Sequence, residues 1–216
     1  MNTFVNAFLL VYAALFPIVN PFGSAPLFLA FTDQYTNVER ARISRQIAIN
    51  SFLLLLGSLL IGSHVLGLFG VSLPIVRVAG GLVVTAFGWK LLNSGAAPDH
   101  NHDTQSAAAH EDPDTFYPLT MPLTVGPGSI SVAITIGSQR AATSDWEQFT
   151  LESAGAIASL VAMALTVYLC YRFAPRLVSA IGRGGMNVVV RLSAFILLCI
   201  GIQILWNGIR DLAHLA

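Results

Sequence analysis

Two matching proline triplets constrain this chain more than any other feature: Pro17, Pro21, Pro26 and then Pro118, Pro122, Pro127. Each has the spacing Pro-x3-Pro-x4-Pro, each follows an aromatic residue (Phe16, Tyr117), and each lies in a strongly apolar stretch. Proline removes a backbone donor and its ring collides with the carbonyl four residues back, costing about 3 kcal/mol or more in a helix interior. In hydrocarbon the freed carbonyl finds no water, so irregular backbone persists only where protein buries it or where it lines a cavity. Breaks at corresponding places in two halves mark a transporter with its site at the repeat interface. At a proline frequency of about 5%, a second matching triplet arises by chance about once in ten thousand per offset, and a few per cent of the time over roughly two hundred offsets. The triplets are read as a repeat.

Composition places the chain in a membrane. Of 216 residues, 55% are hydrophobic and 10% charged, with a mean hydropathy of +0.69, whereas about a quarter of an ordinary soluble domain is charged. A formal net charge of zero leaves no basic surface for nucleic acid. Cys170 and Cys199 both sit in apolar stretches and are expected as buried small hydrophobes. No Lys or Arg precedes the first apolar run, so it lacks the n-region of a cleaved signal peptide and is expected to remain as a span.

Apolar run lengths place six spans near 4–32, 46–69, 72–94, 118–138, 150–173 and 188–210, each able to cross a bilayer core. Turn and polar signals separate them, including the Gly182, Gly184, Gly185 cluster. Residues 1–95 form a first three-helix repeat, 96–115 a polar cytoplasmic linker, and 116–216 a second repeat. With the N-terminus outside, Arg40, Arg42, Arg45, Lys90, Arg172, Arg176, Arg183 and Arg191 are cytoplasmic, against Arg77, Arg140 and Arg210 outside. The positive-inside rule therefore favours both termini outside. Three spans per half is an odd number, so the second half enters from the opposite side and the repeat is inverted. The fold expected is an all-α polytopic membrane protein: six transmembrane helices as two inverted three-helix repeats, the first helix of each half broken. Arg77 and Arg191, each near the start of its half's third span, are a weaker correspondence. They are read as snorkelling to the interface or as an ion pair or gate across the halves.

In the first break, PIVNPFGSAP, Asn20 precedes Pro21 and is pushed from helical geometry, and Gly23 supplies permissive dihedrals. Ser24 or Ala25 is expected to cap a new half-helix, with Pro26 in its first turn. In the second, PLTMPLTVGPGS, Gly126 is the expected cap and Pro127 the first helical residue, so Gly128 and Ser129 present nearly bare amides. Each half-helix start carries free N–H groups and about half a positive charge. Two facing starts make a polar, slightly positive pocket suited to a small carboxylate. Asn20, Thr124 and Gln203 are the lining candidates among the polar residues at depth. The expected substrate-binding set is Asn20, Pro21, Gly23, Ser24, Pro26, Pro122, Thr124, Gly126, Pro127, Gly128, Ser129 and Gln203. No Asp or Glu lies clearly within a span, so no carboxylate proton relay is visible. The segment DHNHD at 99–103, followed by His110, Glu111, Asp112 and Asp114, lacks regular metal-ligand spacing and reads as a solvated loop. No nucleophile with a base, no CxxC and no phosphate loop is present, and neither an enzyme nor a cofactor is expected.

FPIVNPFGSAPLFL, the following NVERAR, the RVAGG opening of the third span, PLTMPLTVGPGSI and GRGG before the last span together resemble the MarC family of bacterial and archaeal integral membrane proteins, over nearly the whole chain. The resemblance implies a transporter of small neutral amino acids, glycine and alanine transport being attributed to some relatives. It carries Asn20, Pro21, Gly23 and Pro26 over in the first motif, and Pro118, Pro122, Gly126, Pro127 and Gly128 in the second.

The expected function is secondary transport of small neutral amino acids or similar small zwitterions by alternating access in the inner (cytoplasmic) membrane. The partners are the small-molecule substrate, the lipid bilayer and a coupling ion (proton or sodium), and the apolar outer face also suits a homo-oligomer. The competing reading, drawn from the His/Asp loop, is a divalent-metal or other small-solute exporter.

Overall fold

The computed structural model describes residues 3–93, 115–140 and 146–213. The linker 96–115, apart from Thr115, and the His/Asp segment within it lie outside the described residues. All described elements are helical: α1 (Thr3–Val19), α2 (Pro21–Phe31), α3 (Asn37–Leu68), α4 (Leu73–Asn93), an irregular wide-turned segment (Thr115–Thr124), α5 (Pro127–Arg140), α6 (Trp146–Arg172) and α7 (Ala174–Ala213). Among the described residues four helices are long and apolar enough to cross a membrane: α3, α4, α6 and the Asn187–Ala213 portion of α7. Two bent pairs raise the number of spans to as many as six: α1 with α2, bent by 41°, and Thr115–Thr124 with Pro127–Ser138, bent by 70°.

Capping chemistry explains where these elements begin. Thr36 accepts from the Glu39 amide while the Glu39 carboxylate accepts from the Thr36 amide at 2.8 Å. This reciprocal cap starts α3 well before the apolar run from 46, so the helix includes polar turns that the span did not. Buried Arg40 donates to the Thr32 carbonyl at 2.8 Å and to the Thr32 hydroxyl at 3.2 Å, which ties the α2–α3 turn to α3. The stretch from Pro175 to Asn187, expected as a turn, is mostly helical: Pro175 sits in the first turn of α7, where its missing donor costs nothing. The interruption is confined to Gly182, at φ 72 and ψ 165, a conformation open to glycine and strained for residues with a Cβ.

The core gathers α1, α2, α3 and α6 around Val11, Leu15, Phe28, Ile47, Leu55, Leu160, Met163, Val167 and Tyr171. Cys170 is buried as expected, but Cys199 is exposed on α7. In a bilayer that outer surface meets lipid, so apolar composition did not require it to be interior.

The most extensive helix pairing is α4 with α7, followed by α1 with α6, α3 with α5 and α3 with α6. Glycines set the α4–α7 distance. A Cβ at Gly81 would run into the Leu205 backbone, and one at Gly88 would lie 2.7 Å from the Leu198 amide nitrogen. A Cβ at Gly201 would lie 2.5 Å from the Thr85 nitrogen, and one at Gly208 2.8 Å from the Val78 nitrogen. Partners climb one helix as they descend the other, so the two run antiparallel in backbone contact, the small-residue packing typical of membrane helices. Arg77 of α4 closes one end of this seam with an ion pair to Asp211 of α7 and a 3.4 Å bond to Thr135 of α5. Arg191 is exposed and well past the Gly182 break, so the two arginines are not equivalent.

Filling this seam should be costly where filling a lipid-facing glycine is not. Gly201→Leu is expected to lose about 2–3 kcal/mol or more by overpacking. Gly57→Leu, whose Cβ would meet nothing within 4 Å, should be neutral or stabilising by up to about 1 kcal/mol. Unfolding of the two variants in detergent micelles measures the difference.

Candidate functional site at the helix breaks

The first break is made by Asn20. Its backbone is left-handed (φ 46, ψ 57) and its side chain accepts from the Gly23 amide at 3.2 Å, with Pro21 in the first position of α2. Asn tolerates this region better than most residues, and Pro21 removes the right-handed alternative. The cap is therefore Asn20, several residues before the expected Ser24 or Ala25, and Pro26 is interior to α2. One proline inside the helix forfeits one bond, that to the Phe22 carbonyl, and the helix continues through it. Gly23 has a steric role: a Cβ there would strike the Asn20 amide group. Because Asn20 takes the Gly23 amide and the Ser24 amide bonds the Asn20 carbonyl at 3.0 Å, the start of α2 is less bare than two free half-helix ends would be.

The second break is wider. Tyr117 and Met121 precede Pro118 and Pro122, and both are extended, at φ −122, ψ 130 and φ −119, ψ 121. That is the geometry that proline imposes on its predecessor. Hydroxyls repair the interrupted ladder: Thr120 donates to the Thr115 carbonyl at 2.7 Å and Thr124 to the Leu119 carbonyl at 2.8 Å. α5 then starts at Pro127, with the Gly126 carbonyl accepting from Ile130 at 3.2 Å and from the Ser129 hydroxyl at 2.9 Å. Helix geometry leaves the Gly128 and Ser129 amides without intrahelical acceptors. Gly126 has room, its nearest neighbour being the Pro122 carbonyl, 3.5 Å from a Cβ built there. Gly128 has none, because Val84 of α4 packs directly on it; it is a packing glycine. Pro122 and Pro127 are exposed.

Tyr171 of α6 joins the two breaks, and the sequence reading did not include it. Its ring is fully buried and stacks on Phe28 of α2 at 4.5 Å between centroids. Its hydroxyl lies 2.8 Å from the Thr124 hydroxyl, and the Ser24 side chain lies nearby. Thr124 spends its one proton on the Leu119 carbonyl, so Tyr171 donates to Thr124. The available signal was a phenol near the end of an apolar span, since a buried Tyr needs a partner for its hydroxyl. Ile18 of the first break also lies 3.7 Å from a Cβ built at Gly128.

Two further polar features surround this junction. Asn50 of α3 reaches the Thr120 hydroxyl at 3.5 Å. The hydroxyls of Ser51 in α3 and Ser159 in α6 are buried without a hydrogen-bond partner. Gln203 does not belong to the junction: it is exposed on α7 and donates to Asn207 at 3.0 Å. It lies off the α4-facing stripe of Leu198, Gly201, Leu205 and Gly208, so depth in the sequence did not make it a lining residue.

Beside the first break a cleft of about 420 Å³ is lined by Phe16, Pro17, Asn20, Phe22, Leu177, Ile181, Val189, Ser193 and Ile196. Only Asn20 and Ser193 bring polar side chains to it. Such a wall does not solvate the two charges of a zwitterion, which leaves the amides without intrahelical acceptors at the start of α5 as the better polar site. Among the described residues no group of three or more His, Cys, Asp or Glu is placed to hold a metal.

The sequence profile described as MarC family integral membrane protein matches residues 4–213. The chain is 29% identical over 201 residues to a membrane protein of Buchnera aphidicola, covering 93% of this chain and 90% of that protein. It is 29% identical over 203 residues to the inner membrane protein MarC of Salmonella typhimurium, covering 92% and 91%. A membrane protein of Methanocaldococcus jannaschii is 31% identical over 204 residues, covering 94% and 96%. No solved structure shows a significant match.

The caps and the tyrosine bridge carry separate expectations. Asn20→Gly keeps the left-handed residue and should cost only a few tenths of a kcal/mol. Asn20→Ala loses the cap and strains the backbone, for about 2 kcal/mol. Tyr171→Phe leaves Thr124 bonded to Leu119 and should cost about 1 kcal/mol. Thermal unfolding of the three variants tests this order.

Proposed function

Because the chain belongs to the MarC family of integral membrane proteins, we propose that it is a secondary transporter of small neutral amino acids, or similarly small zwitterions, working by alternating access in the inner (cytoplasmic) membrane. The observation that carries the reading is the meeting of the two breaks through Tyr171, which bonds Thr124 and stacks on Phe28 of α2. Irregular backbone from both halves of the chain converges at one point, which is how discontinuous helices build a transport site. The substrate carboxylate is held by the Gly128 and Ser129 amides at the start of α5, where the helix dipole is favourable. The ammonium is held by carbonyls freed by Pro21 and Pro122; the missing Pro21 donor releases the Pro17 carbonyl. Asn20, Gly23, Ser24 and Pro26 shape the facing break, and Thr124 with Gly126 shapes its counterpart.

Three patterns support an inverted repeat with six spans, which we place with both termini outside by the positive-inside rule. Exchanging the halves carries α4–α7 onto itself, and likewise α3–α6. It carries α4–α5 onto α2–α7, all of which are packed pairs. Within the seam it carries Gly81–Leu205 onto Gly201–Thr85 and Gly88–Leu198 onto Gly208–Val78, with the same residue shift throughout. On the second helix of each half, the buried residues Ile47, Ala48, Ser51, Leu55, Leu59 and Gly62 match Gly155, Ala156, Ser159, Met163, Val167 and Cys170. The unpartnered serines thus occupy equivalent positions. The α4–α7 seam is the pivot about which the halves rock, driven by a proton or sodium gradient.

Purified protein in liposomes is expected to take up labelled glycine or alanine under a proton, sodium or concentration gradient. Gly126→Leu, which places a side chain at the open break, should abolish uptake while retaining the unfolding temperature. Failure to move any small neutral amino acid under all three gradients would sink the proposal.

A further inference from the structure

The cleft beside the first break is poorly suited to the zwitterion, and its composition calls for a different occupant. Its walls come from α1, the Asn20 break and both parts of α7, and three lining residues, Phe22, Ile181 and Ile196, are also exposed on the outer surface. In a membrane protein such a cleft is continuous with the acyl region of the bilayer.

The α6–α7 corner adds charge of one sign. Between Glu152 and Asp211 the sequence has no acidic residue, yet it contains Arg172, Arg176, Arg183, Arg191 and Arg210. Arg172 and Arg176 are exposed, and the Arg176 guanidinium rests 5.6 Å over the Phe173 ring. The segment from Ala174 to the Gly182 break is amphipathic. Ala174 is buried and Leu177 and Ile181 line the cleft, while Arg176 and Ser179 face outward. Arg176 is adjacent to Leu177 and about 7.5 Å along the helix axis from Ile181. The same two turns therefore present a cation outward, beside Arg172 at the end of α6, and an apolar wall inward, the arrangement of an interfacial helix on an anionic leaflet.

We propose that this cleft is a lipid site: one acyl chain of an anionic phospholipid from the surrounding bilayer lies between the first break and α7, with its headgroup phosphate on Arg172 and Arg176. Both arginines carry a permanent positive charge that attracts the phosphate of an anionic headgroup. The chain replaces the contacts that α1 and α7 fail to make with each other across the cleft. The proposal is independent of the transport reading, since it concerns neither the start of α5 nor the Tyr171 bridge.

The test uses the full-length protein in detergent, with phosphatidylglycerol and phosphatidylcholine of the same acyl chains as probes. Retained lipid is read by native mass spectrometry and stabilisation by thermal unfolding. Phosphatidylglycerol is expected to be retained preferentially and to raise the unfolding temperature. Each arginine should contribute about fivefold to that preference: Arg176→Gln should lower it by about that factor, and the double variant with Arg172→Gln should abolish it. Replacing both arginines by lysine preserves the charge and should preserve most of the preference, separating a charge effect from a folding defect. Ile196→Trp fills the cleft from an already exposed position and should lower retention of both lipids. Equal retention of the two lipids by the wild-type protein overturns the proposal, and so does retention unaffected by Ile196→Trp. Full stabilisation by glycerol phosphate alone would place the anion site apart from the cleft and overturn it equally.

Discussion

Backbone groups within the hydrocarbon must find a partner in the protein or line a cavity, and the rest of the structure follows from how that demand is met where proline interrupts a helix. Short side chains do the repair. The Asn20 carbonyl oxygen takes the Gly23 amide, and the Thr120 and Thr124 hydroxyls take carbonyls five residues back. Ser129 takes the Gly126 carbonyl at the start of α5. Each repair is local and leaves the break intact, so the chain keeps two irregular segments inside an otherwise helical body. Tyr171 then links them. Its hydroxyl bonds Thr124 while its ring stacks on Phe28 of α2, so one side chain touches both breaks' helices.

The two kinds of helix contact divide the work. Along α4 and α7, a glycine on one helix at each of four contacts lets the backbones approach closely, and dispersion at close range holds the pair without a hydrophobic driving force. The Arg77–Asp211 pair and Thr135 fasten one end of that seam. Across α7 from the first break, by contrast, large side chains leave a cleft rather than a seam. A tight antiparallel pair beside a loose apolar gap gives the molecule a fixed line and a place where packing is incomplete. The first break sits next to the latter.

Much of this was legible in the chain itself. Hydropathy and run length placed the helical segments, and the proline triplets marked both breaks, because proline's lost donor and fixed ring act wherever it stands. Gly126 and Pro127 were readable as cap and first helical residue for the same local reason. The first cap was misplaced because Asn20, Ser24 and Ala25 all offer plausible starts. Only the left-handed backbone at Asn20, held by the Gly23 amide, decides between them. That Gly128 also packs against Val84 was not readable, since nothing local reports what a distant helix brings against a glycine. Gln203 was chosen for its depth, but depth along a helix does not tell which side faces the protein.

What the sequence determined alone is therefore the set of local backbone events: membrane-length apolar helices, two proline breaks, and the residues able to cap them. These depend on covalent geometry and on the solvent the chain must inhabit, both of which act residue by residue. What only the tertiary structure decided is which faces meet. Tyr171 bridging the two breaks, the antiparallel glycine seam of α4 and α7, the outward position of Gln203 and the apolar cleft beside Asn20 all rest on contacts between residues far apart in the chain. Helix rotation about its own axis selects those contacts. In a chain this apolar, hydrophobicity is nearly the same on every face and cannot specify that rotation in advance.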